Sequence, residues 1–290
     1  GFSLSKDIEP LDILQAMFGC GNKWIEKDGA LVPSHQTEEY MEALNWLKKM
    51  YDDGLVYEDW AVRDRESSFD AVKNGECGMM VNCLDDIRRV WDYFETNSIP
   101  AVTGDGNAAM KLLGAMKKDA DSEKTILATS GMNGFYAITK EDLANCLHFL
   151  DKMNDREMRV LADYGVEGQT YEMVDGKISS TVVGQDATKN PHNGLNQIVA
   201  YIPDMTHDAV KTDRLEIEEK LKEDNAQYVI YNPAAAYLNN SDTYSMNGGN
   251  LDEIIKQART QYICGEIDEA GLQSKFKEWE NAGGTKVIEE

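Results

Sequence analysis

Phe69-Asp70-Ala71-Val72-Lys73-Asn74-Gly75-Glu76-Cys77-Gly78-Met79-Met80-Val81-Asn82 reads as a helix that stops at Gly75 and hands over to a short apolar run. A helix is expected from about Ser67 to Asn74, and the nearly continuous run 77–82 suits a strand covered on both faces. The same alternation extends upstream. Thr37 is placed to cap a helix in which Tyr40, Leu44, Leu47 and Tyr51 fall at i, i+4, i+7 and i+11, a single apolar stripe that ends at Gly54. Before it, Trp24 to Val32 predicts a hairpin, with Asp28-Gly29 supplying the φ > 0 positions of a type I′ turn. Leu11, Leu14 and Phe18 predict a helix over Pro10 to Phe18, and Phe2-Ser3-Leu4-Ser5 an opening strand. Strands interleaved with helices make the fold class mixed α/β.

Downstream the pattern loosens. Residues 98–134 carry Gly104, Gly106, Gly114, Gly131 and Gly134 with little periodicity and read as crossover and loop. Phe135-Tyr136-Ala137-Ile138 predicts a strand, and Leu143, Leu147 and Leu150 line one face of the helix after it. A second hairpin is expected over Thr170 to Ser179, turning at Asp175-Gly176. Leu251, Ile254, Ile255, Ala258 and Tyr262 form one helical stripe, and Leu272, Phe276 and Trp279 another, before Gly283-Gly284.

Composition narrows the function. The 290 residues hold 29 Lys+Arg against 52 Asp+Glu, a formal charge of −23, with 42% hydrophobic residues. That is the balance of a folded, soluble chain. The acidic excess without a basic cluster argues against nucleic acid and against an anionic membrane surface. No run is long and apolar enough to span a bilayer. Opening on Gly1 and directly in a strand, the chain reads as cut from something longer. Its cysteines, Cys20, Cys77, Cys83, Cys146 and Cys264, are odd in number and irregularly spaced, which fits small buried hydrophobes better than a disulfide or zinc framework.

Catalytic motifs are sparse. His35, His148, His192 and His207 are dispersed, and no zinc, EF-hand, phosphate-loop or nucleophile-elbow pattern occurs, so neither metal nor cofactor is expected. Asp85-Asp86 follows the strand at 77–82, where strand ends meet clefts in α/β proteins. A secreted glycoside hydrolase pairing Asp85 with another carboxylate is therefore the alternative reading. Aromatics outside the stripes, Trp24, Trp60, Phe135, Tyr136 and Tyr171, suit the C–H faces of sugars, while Asp and Asn suit their hydroxyls. An acidic protein so equipped favours a neutral carbohydrate.

The order of segments resembles the extracellular solute-binding proteins (family 1, lipoprotein type) of ABC sugar and oligosaccharide importers in Gram-positive bacteria. Thr37 to Val56, Phe69 to Asn82, Tyr164-Gly165-Val166-Glu167-Gly168-Gln169-Thr170-Tyr171 with Asp175-Gly176-Lys177-Ile178, and Ala258 to Gly265 through Trp279 to Gly284 carry the likeness. The resemblance implies a periplasmic-binding-protein-like type II fold, of which this chain is mainly the C-terminal lobe with a helical C-terminus. Residues 1–100 would be second-lobe core, 101–160 a crossover and return segment, and 161–290 a hairpin with closing helices. It implies a non-enzymatic monomer that binds carbohydrate and passes it to a membrane permease. It further implies a cell-surface protein whose lipid anchor and most of whose first lobe precede this chain, so that the chain alone binds weakly. Position by position, it marks Ser5, Lys6, Asp7 and Glu9 after the first strand, Asn82 and Asp85 at a strand end where relatives often carry a stacking aromatic, Phe135 and Tyr136, and Trp60 as ligand contacts.

Overall fold

A computed structural model describes residues 1–7, 9–129, 131, 136–185, 190–192, 194–198 and 207–290. It divides into two compact units, the larger formed by Gly1–Met132 with Ile217–Glu290 and the smaller by Asn133–Glu216.

The larger unit opens with β1 (Phe2–Ser3) and α1 (Glu9–Ala16), whose Leu11 and Leu14 are buried as their spacing requires. The expected hairpin forms as β2 (Trp24–Lys27) and β3 (Ala30–Pro33). Asp28 and Gly29 turn it at φ 53° and 77°, the left-handed backbone that a two-residue turn demands. Thr37 caps α2 (Glu38–Asp52) through its hydroxyl, which accepts from the Tyr40 amide at 3.2 Å. Next come α3 (Arg65–Lys73), β4 (Met79–Met80) and α4 (Leu84–Thr96). β4 is shorter than the apolar run 77–82 suggested, and Met79 is 50% exposed, so the strand is not covered on both faces. The loop-rich stretch that follows contains β5 (Ile126–Leu127).

The smaller unit holds α5 (Leu143–Lys152), α6 (Arg156–Tyr164), the hairpin of β6 (Tyr171–Val174) and β7 (Lys177–Ser180), and the short α7 (Val182–Gln185). The hairpin turns at Asp175 and Gly176, as expected. The strand expected over 135–138 does not form at Tyr136 to Ile138, and Phe135 lies outside the described residues. α5 forms where its leucines predict, but none of its residues is buried.

The rest of the chain forms α8 (Asp213–Asn225), β8 (Val229–Ile230), α9 (Ala235–Leu238), α10 (Asp242–Ile263), α11 (Glu269–Trp279) and α12 (Thr285–Glu289). α10 and α11 bury Leu251, Ala258, Tyr262, Leu272 and Phe276. All but Leu251 join Leu14, Tyr40, Leu44, Leu47 and Trp60 in the main core. A second cluster packs Phe69 and Val72 of α3 against Val90 and Phe94 of α4.

Among the described residues the strands lie in pairs: β1 with β4 and β5 with β8 are parallel, and the hairpins are antiparallel. The cysteines are free, but Cys83 and Cys146 are exposed, which corrects the expectation that all five are buried.

A carboxylate secures the start of α10. Glu290 accepts from the Ser241 hydroxyl at 2.6 Å, the Thr243 amide at 3.0 Å and the Thr243 hydroxyl at 2.9 Å. The Ser241 hydrogen bond, then those from Thr243, hold the Glu290 carboxyl down at about 2. A depressed acid stabilises the fold above its unfolded value and loses that contribution as pH falls through its folded one. Replacing Glu290 by Gln is expected to flatten the stability–pH curve between the ordinary glutamate range and about pH 2. Urea midpoints for both proteins across that window test this; parallel curves would refute it.

Candidate functional site

The parallel register of β1 and β4 aligns Phe2 with Met79 and Ser3 with Met80. Their carboxyl ends therefore emerge side by side, carrying Ser5, Lys6 and Asp7 from one strand and Asn82 from the other. In open α/β folds this edge is where ligands settle. The Ser5 hydroxyl donates to Asp7 Oδ2 at 3.1 Å, and the Lys6 amide donates to the Arg63 carbonyl at 2.9 Å, which fixes the turn while the Lys6 side chain stays exposed. Asn82 Oδ1 accepts from the Cys83 amide at 2.8 Å as the chain enters α4.

Asp85 and Asp86 occupy the first turn of α4, where the helix dipole favours negative charge. Asp86 is buried and pairs with Arg65 and with Arg89, the latter at 3.4 Å, while Asp85 pairs with Arg89 at 3.3 Å. Burial pushes the Asp85 carboxyl up, but the Cys83 thiol, the Arg89 and Lys222 charges and its own amide outweigh that and hold it below the usual range. A general acid for glycoside cleavage needs the opposite shift. Burial, then Asp85, pushes the Cys83 thiol up to about 11, so it is no ready nucleophile. Cys83, Asp85 and Asp86 offer ligand atoms within 4.8 Å of one another, but two arginines already balance the carboxylates and oppose a cation.

The structure thus brings Lys6, Asp7, Asn82 and Asp85 to one edge, whereas Ser5 beside them is buried with its hydroxyl committed to Asp7. Glu9 begins α1 close by in sequence, though its side chain lies outside the described residues. Trp60 is elsewhere: it is 1% exposed and belongs to the main core, which removes its ring from any ligand surface. Tyr136 belongs to the smaller unit, exposed, with its hydroxyl donating to the Gln197 carbonyl at 3.0 Å.

A second strand edge escaped the sequence reading. β5 and β8 pair with Ile126 opposite Val229, and the Asn22 amide clamps their ends by donating to the carbonyls of Ala128 at 3.0 Å and Ile230 at 3.2 Å. Tyr231, 73% exposed, follows directly. Its only sequence signal is the Val229-Ile230 pair before Tyr231-Asn232-Pro233, too short to read as a strand. Beside this edge lies a cavity of about 230 Å³, reached by Asn22, Trp24, Leu127 and Asn232 and floored by Gln15, Tyr40 and Arg259.

No protein-family model matches the chain. It is 32% identical over 289 residues to lipoprotein LipO of Bacillus subtilis, covering 97% of this chain and 56% of that protein. It is 26% identical over 283 residues to the polygalacturonan/rhamnogalacturonan-binding protein YtcQ of the same organism, covering 94% and 53%. The chain therefore spans about half the length of these relatives. Its fold matches the alginate-binding protein AlgQ2 with a TM-score of 0.67 at 13% identity, over 99% of this chain and 62% of that one. The Streptococcus pneumoniae ABC-transporter substrate-binding protein FusA, in complex with kestose, matches at 0.66 and 15%, over 99% and 60%. The expected fold is borne out: this chain has the mixed α/β, periplasmic-binding-protein-like architecture of these solute-binding proteins.

Proposed function

We propose that the chain captures a carbohydrate, without altering it, for delivery to an ABC permease. The observation that carries this reading is the β1/β4 edge, where the part-exposed Asp7, Asn82 and Asp85 present carboxylate and amide groups at, or one helical turn beyond, parallel strand ends, while Ser5 is buried. Such groups match the paired hydroxyls of a sugar, and the depressed Asp85 carboxyl is suited to accept from a hydroxyl rather than to donate a proton. YtcQ and AlgQ2 are named for the polysaccharides they bind, and FusA holds kestose, which supports the substrate class. In the full protein we place residues 1–100 in the second-lobe core, 101–160 in a return segment and 161–290 in a hairpin with closing helices. The protein would stand outside the cell on a lipid anchor, as the name of LipO suggests; among the described residues no helix is long and apolar enough to cross a membrane. Ligand would work by stabilising a closed form that the permease recognises.

Saturation-transfer NMR with a panel of neutral and uronate oligosaccharides tests the reading. A neutral member should bind more weakly than micromolar, and Asn82→Ala or Asp85→Asn should loosen it by about five- to tenfold. Every oligosaccharide should be recovered intact. Product release that disappears in Asp85→Asn would establish the hydrolase instead.

A further inference from the structure

The cavity of the larger unit is built around an unusual polar floor. Arg259, on α10 and only 5% exposed, donates through one guanidinium nitrogen to Asp12 Oδ1 and to Gln15 Oε1, both at 2.6 Å. Because the Gln15 oxygen is taken by the arginine, its amide orientation is fixed and Nε2 is left as a donor. Gln15 Nε2, Arg259 Nε, Tyr40 Oη and His35 Nε2 are all buried on side chains that line the cavity; none makes a hydrogen bond of good geometry among the described residues, although the Gln15 amide lies near enough to the Tyr40 hydroxyl to favour its charged form. Leaving such groups unmet inside a protein is costly, and native interiors rarely do so. Their convergence on one space of about 230 Å³, far above the ~30 Å³ share of a single water, marks a site shaped for an occupant.

The occupant's chemistry follows from the walls. Two of the four unmet groups can only donate, so the occupant must accept. Asp12 offsets the Arg259 charge, burial drives His35 down to about 3 and so keeps it neutral, and Asp252 on the lining feels the charge of Lys23. The one cation of the floor, Arg259, is already paired with Asp12, so a free carboxylate would have to turn to Lys23 or Lys256 on the lining. Trp24 and Trp279 supply flat apolar surface, and His35 sits edge-on to the Trp279 ring at 4.4 Å. Ring faces beside convergent donors are what a compact polyhydroxylated ring uses.

The geometry points to a second binding site here, a partly open cavity of the larger unit taking one neutral monosaccharide or polyol of similar size. It stands independently of the strand-end reading, which concerns longer sugars at an open edge. Calorimetry of the whole chain against glucose, galactose, N-acetylglucosamine, inositol and glucuronate tests it, with tryptophan emission as a second readout. At least one neutral member should bind and shift the emission. Tyr40→Phe, which keeps the ring, and Gln15→Met should each weaken that binding by about tenfold in protein shown by circular dichroism to be folded. No binding by any member, meaning a cavity filled by water only, would overturn the proposal. So would binding by glucuronate alone, or neutral binding unchanged in both variants.

Discussion

Arg259→Met should destabilise the chain by about 3 kcal/mol, seen as a lower urea midpoint at unchanged slope. The reason is asymmetry. With its guanidinium in place, Asp12 and the buried Gln15 oxygen are both satisfied at 2.6 Å. With it gone, a half-buried carboxylate and a buried amide face each other in a site of low polarisability, and their desolvation is no longer offset. The double variant Arg259→Met/Gln15→Leu should lose less than the sum of its two single variants, because only Asp12 is then stranded and the buried Gln15 amide is not. Strict additivity would show that the network contributes nothing beyond its separate side chains.

Trp60→Ala should cost about 3–5 kcal/mol through the cavity that a large core side chain leaves behind. The ring packs in the cluster that joins α1, α2, α10 and α11, so its loss is felt by every one of those helices. The companion measurement is sugar affinity, taken well below the variant's melting temperature. That affinity should be unchanged, because the ring is buried in the main core, out of reach of a ligand at the strand edge. A large affinity loss with little change in stability would return Trp60 to the ligand surface.

Trp60 also shows where sequence reading stops. Period 3.6 is a local signal, and it placed α1, α2, α10 and α11 because their apolar residues repeat at fixed spacing along a single helix. Turn chemistry is equally local, so Asp28-Gly29 and Asp175-Gly176 located both hairpins. An aromatic between periodic segments has no such signature: Trp60 in a turn of the core and Tyr231 on an open edge look alike in one dimension. Strands of two residues are too short for an alternation to register: β5 and β8 were missed, and β1 and β4 were read only from the longer apolar runs around them. α4 was hidden differently: Ile87, Val90 and Phe94 mark its inner face, but Asp85-Asp86 at its start drew the reading toward a cleft. Those aspartates are helix-end charges as well as candidate ligand contacts. The cavity floor was beyond reach, since Gln15, Tyr40 and Arg259 come from helices widely separated along the chain.

The Asn22 side chain spans residues 128 and 230 with one amide group. It holds the outgoing and returning ends of a long excursion of chain at a single point. The free energy of bringing such ends together rises only with the logarithm of the intervening length, so the excursion can be lengthened, shortened or replaced at little thermodynamic penalty. A junction of this kind lets the intervening third of the chain diverge in sequence while the scaffold that carries the junction stays folded.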